Sequence, residues 1–279
     1  MNGDEELIKQ CGNVAGEVIK QGYGDVKDPL VKPLATSLGL VPRAINAALA
    51  GVQKWILHRE YSVEKTKKLL EIKLASIEPE NIVSPSPHVA VPALQYISYC
   101  MDNEELRDMY ANLLANAMNK VVRNGVHPSF VEIIKQLCPD EARILRYIAQ
   151  QEGFPLLGIR YENPSTSDGF DIMKHFSDIG YKTNCEYPQD FPKYLDNLVR
   201  LGLVELEMIR SLTFKEFYQP LKEHTDFKKL LVVPENYTKV GYVYPREIPH
   251  FGVITRFGKD FCRICITDGI PNKELQKNA

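Results

Sequence analysis

Leu195-Asp196-Asn197-Leu198-Val199-Arg200-Leu201-Gly202-Leu203-Val204-Glu205-Leu206 is the stretch whose reading decides the second half of the chain. Leu195, Leu198 and Leu201 recur at helical spacing, and Tyr194 extends the same face. A glycine then stands where a helix commonly ends on a left-handed residue, and a short apolar run follows it. The stretch therefore predicts a helix over 194–201, a stop at Gly202 and a strand over 203–206.

Working outward, Pro139 suits the first position of an earlier helix, with Asp140 and Glu141 placed against the positive end of its dipole. Ala142, Leu145, Ile148 and Ala149 form its apolar side. A strand-like run, Leu156–Tyr161, a polar loop from Asn163 to Gly169 and a short helix near Ile172–Phe176 come next. Beyond Leu206 an insertion spans about 207–251. Val253-Ile254-Thr255 reads as a returning strand, and a last helix starts near Gly258, burying Phe261, Ile264 and Cys265. That order predicts a winged-helix-like α+β domain over 139–279.

Residues 1–138 read as helical. A short amphipathic helix is expected over 5–20, closed by Gly22-Tyr23-Gly24, and another from Pro42 through Trp55. Ser62 is read as the N-cap of a helix carrying Leu69, Leu70, Ile72 and Leu74, which ends near Pro79. Residues 80–92, with three prolines, read as an extended connection before a helix over Leu94–Tyr99. Asp102 with Glu105 and Ser129 with Glu132 have capping-box spacing. Between them Leu106, Met109, Tyr110, Leu113, Leu114, Ala117 and Met118 line one broad face. Around Leu113 and Ile133 such a face serves equally as core or interface. The fold class expected is mainly α, an N-terminal helical domain followed by a winged-helix-like α+β domain.

Charge weighs against nucleic acid. The chain has 34 Lys plus Arg against 36 Asp plus Glu, and acid and base nearly balance on either side of Pro139. A DNA-reading helix needs cations for phosphates and amides for base edges. Here Lys193, Asn197 and Arg200 face Asp190 and Asp196, which nearly cancels. Protein contact or self-association is the expected role of the winged unit, and a DNA-binding regulator is the alternative. The six dispersed cysteines and an N-terminus without a basic, apolar leader fit a reducing cytoplasm. Residues 34–57 are apolar, yet Pro42, Arg43 and Asn46 interrupt them, so a buried helix is expected over a membrane span. Conditional membrane contact is the alternative.

Signals for catalysis, metal or cofactor binding are weak. Cys262-Arg263-Ile264-Cys265 has half-site spacing but no second pair, and two core-lining cysteines explain it. Arg123 and His127 resemble the Arg and His of helical toxin ribonucleases, although only three residues separate them and Pro128 follows. A His127 that braces the helix starting near Ser129 is the simpler reading. The other histidines (58, 88, 175, 224 and 250) have no ligand-spaced neighbours.

From about Leu69 to Arg146 the chain resembles the Abi-alpha family, bacterial proteins associated with abortive infection, with weaker similarity toward both ends. The residues that carry the likeness are Ile77-Glu78-Pro79-Glu80-Asn81-Ile82, the Asp102…Glu105-Leu106 to Leu113-Leu114-Ala115 helix, and the block His127-Pro128-Ser129-Phe130-Val131-Glu132-Ile133-Ile134-Lys135-Gln136-Leu137. The resemblance implies a role in antiphage defence and supplies no catalytic residues. His127, Pro128, Ser129, Phe130, Glu132 and Gln136 are accordingly the candidate functional or structural motif. The expected activity is binding rather than catalysis. The alternatives are a membrane-active effector through 34–57 and a ribonuclease using Arg123 and His127.

Overall fold

The computed structural model describes residues 60–75, 77–207 and 215–266. These form helices and, in the C-terminal part, one four-stranded antiparallel sheet. They divide into two compact units, one that runs to Gln136 and resumes at Arg263, and one covering Leu137–Cys262. The helices expected over 5–20 and 42–55, and the apolar stretch 34–57, lie outside the described residues.

In the first unit α1 (Glu60–Leu74), α2 (Pro87–Ile97) and α4 (Ser129–Lys135) each pack on α3 (Glu104–Met118). Met109, Tyr110, Leu113, Leu114, Ala117 and Met118 are buried, as their spacing predicts. Ala111, Asn112 and Ala115 are buried too, so α3 is covered on nearly every side rather than along one face. Leu113 and Ile133 are core residues of this unit. Asn112 and Asn116 donate to the carbonyls of Cys265 (3.1 Å) and Ile264 (2.8 Å), two acceptors that a helix C-terminus leaves unpaired.

Three local expectations are corrected here. Asn103, not Asp102, caps α3, its side chain accepting the Leu106 N–H at 2.9 Å. Ser62 lies inside α1 rather than at its cap. Residues 80–92 are not one extended connection, because a 3₁₀ turn occupies Pro79–Asn81 and α2 already begins at Pro87. Pro87 fits the first helical position, where no N–H is needed, and Pro92 removes one internal bond. Burial of Val89, Ala90, Ala93, Leu94 and Ile97 offsets that loss.

The second unit opens with α5 (Pro139–Ile148), followed by β1 (Phe154–Glu162), β2 (Gly169–Phe176), α6 (Ile179–Lys182), α7 (Phe191–Arg200) and β3 (Val204–Glu207). Three short helices follow, α8 (Gln219–Glu223), α9 (Thr225–Leu230) and α10 (Glu235–Thr238), then β4 (Tyr244–Ile254) and α11 (Arg256–Cys265), whose last three residues belong to the first unit. The sheet order is β2-β1-β4-β3. The helix expected over 172–176 is instead β2. Its residues have a long antiparallel partner in β1, and ladder bonds outweigh the weak preference of a five-residue segment. The insertion is also shorter than 207–251, since β4 starts at Tyr244 and pairs with β1 along its first nine residues. Leu157, Ile159, Tyr161 and Phe176 meet Tyr218, Leu221 and Phe227 in one cluster, so the inserted segment covers a sheet face. The helix α7 packs against β2 and β3.

Gly202 ends α7 as its sequence suggests. Its φ is +72°, its N–H bonds to Val199, and the Leu203 N–H reaches back to the Leu198 carbonyl at 3.0 Å. A Cβ there would meet nothing within 4 Å, so the cost of a side chain is conformational alone. Gly202→Ala is expected to lower unfolding stability by about 1 kcal/mol, read as a lower urea midpoint with unchanged slope.

The Asp140 carboxylate, 4% exposed, joins α5 to the segment before α7. It accepts from the Glu186 N–H (3.0 Å), the Tyr187 N–H (3.2 Å), the Tyr194 hydroxyl (2.9 Å) and Arg143 (2.6 Å). Burial alone would raise its pKa, but these donors outweigh burial and hold it below its ordinary value of 3.8. Glu141 accepts the Cys138 N–H at 2.7 Å and the Asn197 amide at 2.8 Å. Asp140→Ala leaves two backbone donors and a phenol unpaired and is expected to cost about 3 kcal/mol by chemical denaturation. The stabilisation exists above pH 3.8 and is lost as pH falls through the depressed folded-state value, so the difference between wild type and variant should shrink in acid.

Candidate functional site

The candidate motif surrounds the entry to α4. A 3₁₀ turn at Arg123–Gly125 brings the chain to His127. Ser129 is the first residue of α4 and not its cap, so the Ser129/Glu132 box does not form. His127 serves that end instead. Its Nδ1 faces both the hydroxyl (2.6 Å) and the backbone N–H (3.2 Å) of Ser129, and its ring lies 5.9 Å from that of Phe130. Phe130 is 1% exposed and anchors the helix in the core. Pro128 starts the turn with helical backbone angles.

The other end of α4 is equally engaged. Gln136 donates to the Glu132 carbonyl at 2.9 Å, and Glu132 pairs with Lys135 at 3.6 Å. Lys135 donates to the Tyr96 hydroxyl at 2.6 Å, with its Nζ 4.5 Å from that ring's centroid. Tyr96 stacks on Tyr110, whose hydroxyl donates to the Val131 carbonyl at 3.3 Å. Asn81 and Ile82 pair with Lys120 and Asn119 just beyond α3, so the Ile77–Ile82 run is tied to the end of that helix. Arg123 and His127 are both exposed. The contacts of His127 with Ser129 hold the start of α4.

Cys262 and Cys265 are buried at 5% and 0% exposure, as core-lining residues would be. Burial pushes the Cys262 thiol up to about 12, so it carries no thiolate near neutral pH. Burial likewise lifts Cys138 to about 11. Among the described residues, no group of three or more His, Cys, Asp or Glu is placed to hold a metal ion.

The sequence gives no warning of one cluster in the second unit. His175 Nδ1 and His250 Nε2 lie 2.9 Å apart although the residues are 75 positions distant. His250 is fully buried and His175 is 8% exposed. The pair depends on β2 being a strand, and a helix over 172–176 conceals it. Alternation along 169–176, tested against the neighbouring β1 run, is the signal for the strand, and the contact between the rings has none.

These observations define a two-unit chain, a helical unit around α3 and a helix-covered antiparallel sheet, with a motif that organises α4. The sequence profile described as Abortive infection alpha matches residues 58–265, most of the chain. The chain belongs to that family. No curated protein matches it. A solved structure, of the uncharacterized protein from the hydrocarbon-degrading marine bacterium Alcanivorax borkumensis SK2, is 18% identical over 50% of this chain and 92% of that one. Its TM-score is 0.35.

His127→Ala removes the acceptor for the Ser129 N–H. Like other lost N-caps, it is expected to cost about 1 kcal/mol, with early exchange of the first-turn amides of α4. An unchanged denaturation midpoint and unchanged exchange would refute the bracing role.

Proposed function

We propose that this protein acts in abortive infection by binding a protein partner or a second copy of itself, without catalysis. The observation that carries the reading is membership of the abortive infection alpha family across 58–265. The engagement of His127, Ser129, Phe130, Glu132 and Gln136 in holding α4 supports a structural motif over a reactive one.

The second unit is read as winged-helix-like. In support, α5, β1, α6, α7, β3 and β4 follow one another in that order, with β4 between β1 and β3 in the sheet. On this reading β2 and α8–α10 are additions. The polar groups of α7 are engaged within the unit. Asn197 donates to Glu141 and accepts from Arg200 at 2.6 Å, and Lys193 lies 3.9 Å from Asp190. That arrangement favours protein contact over a base-reading role. Exposed Phe217, Val232, Val240, Val243 and Tyr244 on or beside the inserted segment add apolar surface of the kind partners cover.

Among the described residues no helix is long and apolar enough to cross a membrane, while 34–57 is outside them. The test is a phage challenge of bacteria expressing the chain, scoring plaques, membrane potential and RNA integrity together. Fewer plaques with intact RNA and an unchanged potential before phage is added are expected, and His127→Ala should leave RNA equally intact. Full phage sensitivity removes the defence role. RNA cleavage by the wild type that His127→Ala abolishes replaces binding with the ribonuclease reading.

A further inference from the structure

The chain enters β2 through a loop and leaves it at Phe176, and the pairing with β1 is interrupted between these points. Leu157 pairs with Phe176 whereas Ile159 pairs with Met173, so Lys174 and His175 together oppose Gly158. Such a bulge re-aims a side chain that would otherwise follow the strand's alternation. On the other side of β1, His250 pairs with Leu156. The two rings therefore meet across β1, joining strands that share no ladder.

The hydrogen bonds define the protons. His250 Nδ1 is 3.1 Å from the Ile248 carbonyl, which can only accept, so Nδ1 carries the hydrogen. Its Nε2 is then unprotonated in the neutral ring and accepts from His175 Nδ1–H at 2.9 Å. Both rings are held as Nδ1–H tautomers. His175 keeps 8% exposure and His250 none, so an added proton enters at His175 Nε2.

We propose that the His175–His250 pair is a proton-sensitive latch that fastens the bulged edge strand β2 to β4 at neutral pH and releases it in acid. The first proton leaves the bond intact, because His175 Nδ1–H still faces a lone pair. A second must occupy His250 Nε2, where two N–H groups would oppose each other at a fully buried ring. Separation of the rings is the only way to accommodate it.

The surroundings agree. Asp196 on α7 favours the cation at His175, and Lys174 beside it opposes it. On β1 the neighbouring positions are uncharged Leu156 and Gly158. On β3, Glu205 and Glu207 pair with Val253 and Phe251 rather than with His250. From the inserted segment, the Tyr218 hydroxyl donates to the His250 carbonyl at 3.0 Å, and Lys222 pairs with Glu247. Burial first, and for His175 the facing His250, lowers both imidazoles below 6.5. Stability is thus complete above pH 6.5 and declines as pH falls below it, where the unfolded chain takes up protons that the folded pair refuses.

This inference is independent of the defence reading. The experiment is nitrogen-15 NMR of the histidine rings in the full chain from pH 7.5 to 5, with amide exchange of β2 followed in the same samples. Nδ1–H tautomers for both rings at pH 7.5, and at least a tenfold acceleration of β2 exchange by pH 5 relative to the intrinsic rate at each pH, are expected. His250→Gln, which can still accept from His175 without titrating, should abolish most of that acceleration. An Nε2–H tautomer at His250, titration of both rings at the ordinary 6.5, or acid release that persists in a folded His250→Gln overturns the latch. Should that variant fail to fold, the wild-type tautomers and titration decide alone.

Discussion

A buried carboxylate cannot remain ionised unless donors replace the water it lost, and that demand organises the second unit around Asp140. Its donors come from Arg143 one turn on, from the backbone at Glu186 and Tyr187, and from Tyr194 in α7. Satisfying one residue therefore fixes the position of α7 relative to α5. Glu141 repeats the arrangement from the next position, capping α5 and taking the amide of Asn197. Once α7 is placed, the Gly202 turn directs β3 to the edge of β4, and the sheet has a helix against it.

The first unit is organised by a different need. The helix α3 is too enclosed for a polar side, and its two asparagines face inward to the carbonyls that the end of α11 leaves without helical partners. Each satisfies an acceptor that would otherwise need water. The block 127–137 extends the same economy. A histidine holds the start of α4, a phenylalanine anchors it, and a lysine closes onto Tyr96. The strongest part of the family likeness is in this way a description of how one short helix is attached.

Elements whose signals are local were legible in the residues. The helix over 194–201 and its glycine stop, the Pro139 start of α5 and the burial of Phe261, Ile264 and Cys265 all follow from spacing and backbone preference. Caps were legible only to within a residue. Asn103 rather than Asp102 takes the role, since both side chains suit it and the chain's path chooses between them. The candidate motif was found as a string, yet its roles were not. Ser129 has the spacing of a cap, yet the imidazole two residues earlier supplies the acceptor.

What the sequence by itself determined is the set of elements that short-range preference can specify, the balance of charge and the family to which the chain belongs. Tertiary structure alone decided that 169–176 is a strand, because a ladder with β1 outweighs the weak helical bias of so short a run. It also brought His175 to His250. Neither spacing nor composition predicts that contact, which exists only because a bulge opposite Gly158 aims one ring across the strand that separates them.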